Sequence, residues 1–129
     1  MLVQLQPLPP MIIGKIEHKN NWLILELEHE LGRYLRRLFL LTYGIKLQRP
    51  SNNEHITIVS IFDKIEDQNV LSKYKGKQVN IEIQFTTFTN GNAYWLNITS
   101  FELDEIRKEL GLGNPKIPFH FCFGYLTEG

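Results

Sequence analysis

The dipeptide Asn90-Gly91 separates two strand-like runs, residues 78–89 and 92–99, and it constrains the fold more than any other feature of the sequence. Two neighbouring residues that tolerate positive φ reverse a chain tightly, with a twist that suits antiparallel strands. A long β-hairpin is therefore expected. A second hairpin is predicted nearer the start, from residues 11–17 and 22–28, with turn chemistry at Lys19-Asn20-Asn21 between them. Leu23, Leu25 and Leu27 fall on one face of its second strand.

Each hairpin is followed by helical periodicity and then by one more strand. Over residues 29–43 the apolar positions Leu31, Tyr34, Leu35, Leu38 and Leu41 recur at helical spacing, and Gly44 supplies a stop. Its wet face is expected to carry Arg33, Arg36 and Arg37. A second helix is predicted from a Ser100 cap to Leu110, with Glu102, Asp104 and Glu105 near its positive end. Strands are expected at 55–62 and 118–126, with an irregular connection over 63–76. Two halves of similar outline result, each ββαβ, and helices interleaved with hairpins favour an α+β domain over a doubly wound parallel sheet.

At 129 residues the chain is read as a single domain spanning 1–129, and 43% hydrophobic residues are enough for a real core. Lys plus Arg and Asp plus Glu number 14 each, so a protein that coats nucleic acid by bulk charge is disfavoured. Cys122 is the single cysteine, which excludes an internal disulfide and a cysteine-built zinc site. The first ten residues show no secretory pattern, and no apolar run approaches the ~20 residues needed to cross a bilayer. A cytoplasmic protein with no membrane partner is expected.

Four histidines are present, and two of them stand two places before a small side chain able to hydrogen bond: His55 before Thr57, and His120 before Cys122. In a strand, residues i and i+2 share a face, so each pair projects together. Ile56 and Ile58 alternate with the first pair, and Phe119, Phe121, Phe123 and Tyr125 with the second. The bulky face reads as core; the other, with Gly124 leaving room above it, reads as the lining of a cleft.

The segments His55-Ile56-Thr57-Ile58 and His120-Phe121-Cys122-Phe123-Gly124-Tyr125 resemble the paired signatures of the two-histidine (2H) phosphoesterase superfamily, in which the pattern His, hydrophobic, Thr or Ser, hydrophobic occurs twice. Cys122 departs from it, and a thiol is a weaker donor than a hydroxyl. The resemblance implies a bilobal α+β fold, two antiparallel sheets facing a central cleft with helices outside. It also implies a phosphodiesterase needing neither metal nor cofactor, acting on a 2′,3′-cyclic RNA end or a cyclic or oligonucleotide signal. His55 and His120 would be general acid and base, each contributing about 10² to 10⁴-fold. Thr57 and Cys122 would orient the phosphate. A nucleotide or RNA substrate further needs flat surfaces and cations. Tyr43, Tyr94, Trp95 and Tyr125 are the aromatic candidates; Arg49, with Lys46, Lys73, Lys75 and Lys77, supplies charge.

Three other readings compete. A non-catalytic RNA- or nucleotide-binding module on the same fold would treat Cys122 as the mark of a decayed second motif. A zinc site from His55 and His120 with Glu54 or Asp63 lacks the usual ligand spacing. A serine hydrolase is disfavoured because no Gly-x-Ser-x-Gly elbow occurs.

Overall fold

The computed structural model describes residues 11–19, 21–50, 54–65 and 67–126. The first ten residues, read above for a secretory pattern, and Asn20 of the first expected turn lie outside them. The chain forms β1 (Met11–Lys19), β2 (Trp22–Glu26), α1 (His29–Tyr43) and β3 (His55–Val59). A 3-10 helix (Gln68–Tyr74) then leads to β4 (Gln78–Thr89), β5 (Ala93–Thr99), α2 (Phe101–Glu109) and β6 (His120–Tyr125). This is an α+β domain in two ββαβ halves, as the element order predicted.

Both hairpins form, and the second turns at Gly91, whose φ of 100° explains the need for glycine. The expectation of two separate sheets meets a different arrangement: all six strands belong to one antiparallel sheet, ordered β3-β2-β1-β4-β5-β6. The join is made by β1 and β4, where Gly14 lies opposite Val79 and Ile12 opposite Ile81. No turn dictates that pairing. Because β3 and β6, the two ends of the order, also come into contact, the sheet is nearly closed. Strand directions alternate across the sheet, so β3 and β6 run antiparallel.

Each helix packs on a strand of the opposite half, α1 on β6 and α2 on β3 as well as on β4. The buried stripe of α1 is Leu31, Gly32, Leu35 and Phe39. Leu41, expected on that stripe, is 72% exposed, and Phe39 takes the place in the core. In α2 the Ser100 hydroxyl accepts the Leu103 amide at 3.2 Å and donates to the Asn80 carbonyl at 2.9 Å. Such a cap is worth about 1 kcal/mol. A single apolar cluster, fed by all six strands and both helices, fills the space beneath one sheet face.

The strands expected at 55–62 and 118–126 are each shorter than the pattern suggested. After Val59 the Ser60 amide donates to the Asp63 carboxylate at 3.0 Å and the Asp63 amide returns to the Ser60 carbonyl at 3.1 Å, closing a turn that carries Ile61 and Phe62 into solvent. The last strand begins at His120 rather than at residue 118, where a proline has no amide to give the ladder. The irregular connection over 63–76 contains the 3-10 helix, whose Asn69 amide donates to the Asp67 side chain.

Candidate active site

The alternation read from the two histidine segments is present in space over residues 55–58 and 119–123 but breaks at the register shift that follows, where Gly124 is buried and Tyr125, expected on the core face, is only half-buried. Ile56 and Ile58 of β3 and Phe121 and Phe123 of β6 are at most 1% exposed, whereas His55, Thr57, His120 and Cys122 are half-buried. The chemistry-bearing residues therefore stand on the sheet face opposite the core. Antiparallel contact of β3 with β6 sets the start of one strand beside the end of the other. Thr57 and His120, from different halves, consequently line one cleft of about 420 Å³, together with Phe62, Lys116, Ile117 and Pro118. Neither His55 nor Cys122, the other two residues of the paired segments, is among the residues that line it.

His120 has a defined tautomer. Its Nδ1 lies 2.9 Å from the Pro118 carbonyl oxygen, an acceptor only, so Nδ1 carries the hydrogen and donates it. Nε2 is then an acceptor in the neutral ring and a donor in the imidazolium, the two states that proton transfer requires. The ring also meets Trp95 edge-on, with centroids 6.3 Å apart, and Trp95 stacks on its cross-strand neighbour Phe88 at 6.4 Å. An aromatic row thus runs away from His120 over the outer face of β5 and β4.

The Cys122 thiol points to the Gly124 carbonyl at 3.7 Å, a weak contact. It also meets the Tyr125 hydroxyl: hydrogen bonding with Cys122, and then burial, push that phenol above its usual value of 10.0. Gly124 does not leave open room. A Cβ there would lie 2.7 Å from Leu47 Cβ, because Leu47 and Gln48 lie against the end of β6, Gln48 bridging to Tyr125.

The remaining expected substrate contacts separate. Tyr94 is 7% exposed with its ring 5.1 Å from Phe39, so it belongs to the core and offers no stacking surface. It shares parity with Leu96 and Ile98, whose burial the alternation of β5 already implies. Tyr43 is half-buried, 4.8 Å from the same Phe39 ring. Tyr125 sits beside Cys122, and Arg49 is half-exposed with its Nη2 3.8 Å from Glu54 Oε2. Lys73 covers the Tyr74 ring at 4.9 Å. Lys116, which the sequence reading passed over, is the lysine on the cleft.

Two arginines hold the histidine strands together. Arg36 of α1 is 12% exposed rather than on the wet face, and its Nη1 donates to the Phe123 carbonyl of β6 at 3.0 Å. Arg107 of α2 is 5% exposed and its Nη1 donates to the Ile58 carbonyl of β3 at 2.9 Å. Ile58 and Phe123 each stand three residues after a motif histidine, so each helix grips the other half's strand at the equivalent carbonyl. No local sequence signal marks these contacts, whose partners are 87 and 49 residues away.

Each arginine also meets a carboxylate, and neither carboxylate is arranged as a metal ligand. Asp63 accepts from Arg107 Nη1 at 3.1 Å and Nη2 at 3.2 Å. Burial pushes its carboxyl up, but hydrogen bonds from Arg107 and the Ser60 amide outweigh this and hold it below 3.8. Glu54, 2% exposed, accepts from His29 Nδ1 at 2.9 Å. Burial again raises, while bonds from His29 and its own amide and the charges of His29 and Arg49 lower it below 4.5. Burial also pulls the Arg36 guanidinium down despite the neighbouring Glu54. Among the described residues no group of three or more His, Cys, Asp or Glu side chains is placed to hold a metal ion. Compared with family models, curated proteins and solved structures, the chain matches none of them.

Proposed function

We propose that the protein is a 2H-type phosphodiesterase acting on a nucleotide phosphodiester, either a 2′,3′-cyclic end of RNA or a cyclic or oligonucleotide signal, with His55 and His120 as general acid and base. One observation carries this reading: Thr57 of one half and His120 of the other line a single cleft, with the His120 tautomer fixed through Pro118. The two three-stranded halves of the sheet would serve as the two lobes.

In the reaction one imidazole takes a proton from the attacking hydroxyl or water as its oxygen bonds to phosphorus. The other gives a proton to the departing oxygen as its bond to phosphorus breaks. The two rings end with exchanged protonation, and solvent restores them. The Thr57 hydroxyl, and more weakly the Cys122 thiol, would donate to non-bridging oxygens as charge builds there. The order of the two histidine roles follows from the substrate and the direction of attack.

The test is incubation with excess chelator against 2′,3′-cyclic mononucleotides, RNA with cyclic ends and cyclic oligonucleotides, read by mass spectrometry. Turnover is expected, with a loss of about 10²-fold or more in His55→Ala and in His120→Ala at little change in thermal midpoint. A variant that keeps its rate removes the assignment. The engagement of Cys122 by Gly124 and Tyr125 favours a second reading, a nucleotide-binding module without turnover. Binding of the same compounds with no product identifies it.

A further inference from the structure

We infer that the outer end of the cleft, between Phe62 and Ile117, is a slot for the planar base of a nucleotide whose phosphate lies at Thr57 and His120. The inference rests on the phosphate site proposed above and adds the group that confers specificity. Phe62 is 84% exposed and Ile117 64% exposed, and both line the cleft that Thr57 and His120 line. Two large apolar side chains that line one cleft and yet stay exposed to solvent gain free energy when a flat, weakly hydrated group covers them.

The two walls come from different halves of the chain, Phe62 from the turn after β3 and Ile117 from the segment before β6. The backbone near each is anchored. The Phe62 amide donates to Ser60 Oγ at 3.2 Å, inside the turn closed by Ser60 and Asp63. Arg107 binds Asp63 on one side and, through Nε, the Gly113 carbonyl at 2.8 Å on the other. One buried guanidinium therefore anchors the chain at Asp63, next to Phe62, and at Gly113, four residues before Ile117.

Charge selects what the base is attached to. Asp63, the carboxylate on the cleft, is neutralised by Arg107, while Lys116 and the His120 ring line the same space. An anion is favoured at the His120 end and an uncharged ring at the Phe62 end. A volume of about 420 Å³ lies in the usual range for a small-molecule site. A nucleotide carries both groups at a fixed short separation. A long lipid chain has no planar group to match, and an inorganic ion leaves the walls wet.

The experiment is isothermal titration of the protein with adenosine 2′-, 3′- and 5′-monophosphate, ribose 5-phosphate, phenyl phosphate and inorganic phosphate, repeated on Phe62→Ala and Ile117→Ala. The tightest adenosine monophosphate is expected to bind at least tenfold better than ribose 5-phosphate, about the effect of one stacked base. Each variant should weaken it about tenfold and leave ribose 5-phosphate unchanged. Both side chains project into solvent, so the variants should unfold at the wild-type temperature. Equal affinity for base-bearing and base-free phosphates, or unchanged nucleotide affinity in both variants, overturns the slot. Phenyl phosphate binding as tightly as the nucleotide overturns the assignment to a base. Nucleotide binding that is sensitive to Phe62 without any turnover sinks the catalytic reading alone; turnover whose KM ignores both variants sinks the slot alone.

Discussion

The two arginine contacts at the β3–β6 seam do the same job with different completeness, and the difference separates the two ends of the site. Arg107 meets both oxygens of Asp63, the Ile58 carbonyl and the Gly113 carbonyl, so the guanidinium is met on several sides. Among the described residues Arg36 makes one good hydrogen bond, to Phe123, and stands 3.5 Å from Glu54 Oε1, close enough for attraction but long for a hydrogen bond. That Oε1 atom is buried and receives no hydrogen bond among the described residues. Glu54 spreads its charge over His29, Arg36 and Arg49 instead of a single fork. Bidentate Arg–carboxylate pairs are rigid, whereas shared ones depend on several side chains at once. The Thr57–His120 end should therefore be stiff, and the end that carries His55 more sensitive to charge.

The sharpest way to break this contrast is to remove each arginine in turn. Arg107→Met is expected to lower stability by about 3–5 kcal/mol, since it strands Asp63 and two carbonyls. Arg36→Met should cost less, about 1–3 kcal/mol, because Glu54 keeps His29 and Arg49. Urea denaturation measures both, and equal losses would erase the distinction.

Acid comes next in size. Both carboxyls titrate lower in the folded state than their ordinary values of 4.5 for Glu54 and 3.8 for Asp63. As pH falls the unfolded chain binds these protons first, so their stabilisation is complete above about pH 5 and is lost as pH drops through the folded values. Glu54→Gln should remove its own share of that fall and leave the share that belongs to Asp63. A pH series of thermal midpoints showing the same slope in both proteins would contradict the assignment.

The smallest effect probes the spacing at Arg36. Alanine in place of a helical glycine ordinarily gains about 1 kcal/mol, but a Cβ on Gly32 would lie 2.7 Å from Glu54 Oε1 and 3.0 Å from Arg36 Nη1. Gly32→Ala is expected to destabilise by about 1 kcal/mol on balance. A net gain would mean that the Glu54 cluster yields freely.

What could be read in advance was whatever local pattern decides. The alternation in 55–58 and 119–123 separated the histidine face from the core face, and the Ser100 cap, the Asn90-Gly91 turn and both helices followed from short-range rules. Arg36 was misread because its neighbours Arg33 and Arg37 are exposed, and only a carbonyl 87 residues distant takes it inward. The β1–β4 pairing that makes one sheet of the two halves was equally invisible, since no tight turn specifies it. Tyr94 is a different case. Its parity with Leu96 and Ile98 carried the information, and its chemical suitability for stacking obscured it.

The proposed activity depends on two imidazoles, 65 positions apart in sequence, serving one phosphate. The direct measurement is a proton–nitrogen NMR titration of the side-chain resonances of His55 and His120 with a non-hydrolysable phosphorothioate dinucleotide, His18 serving as internal control. The His55 and His120 rings are predicted to shift together along a single binding curve while the control stays still. Separate curves for the two rings, or a response from only one of them, would contradict the shared site.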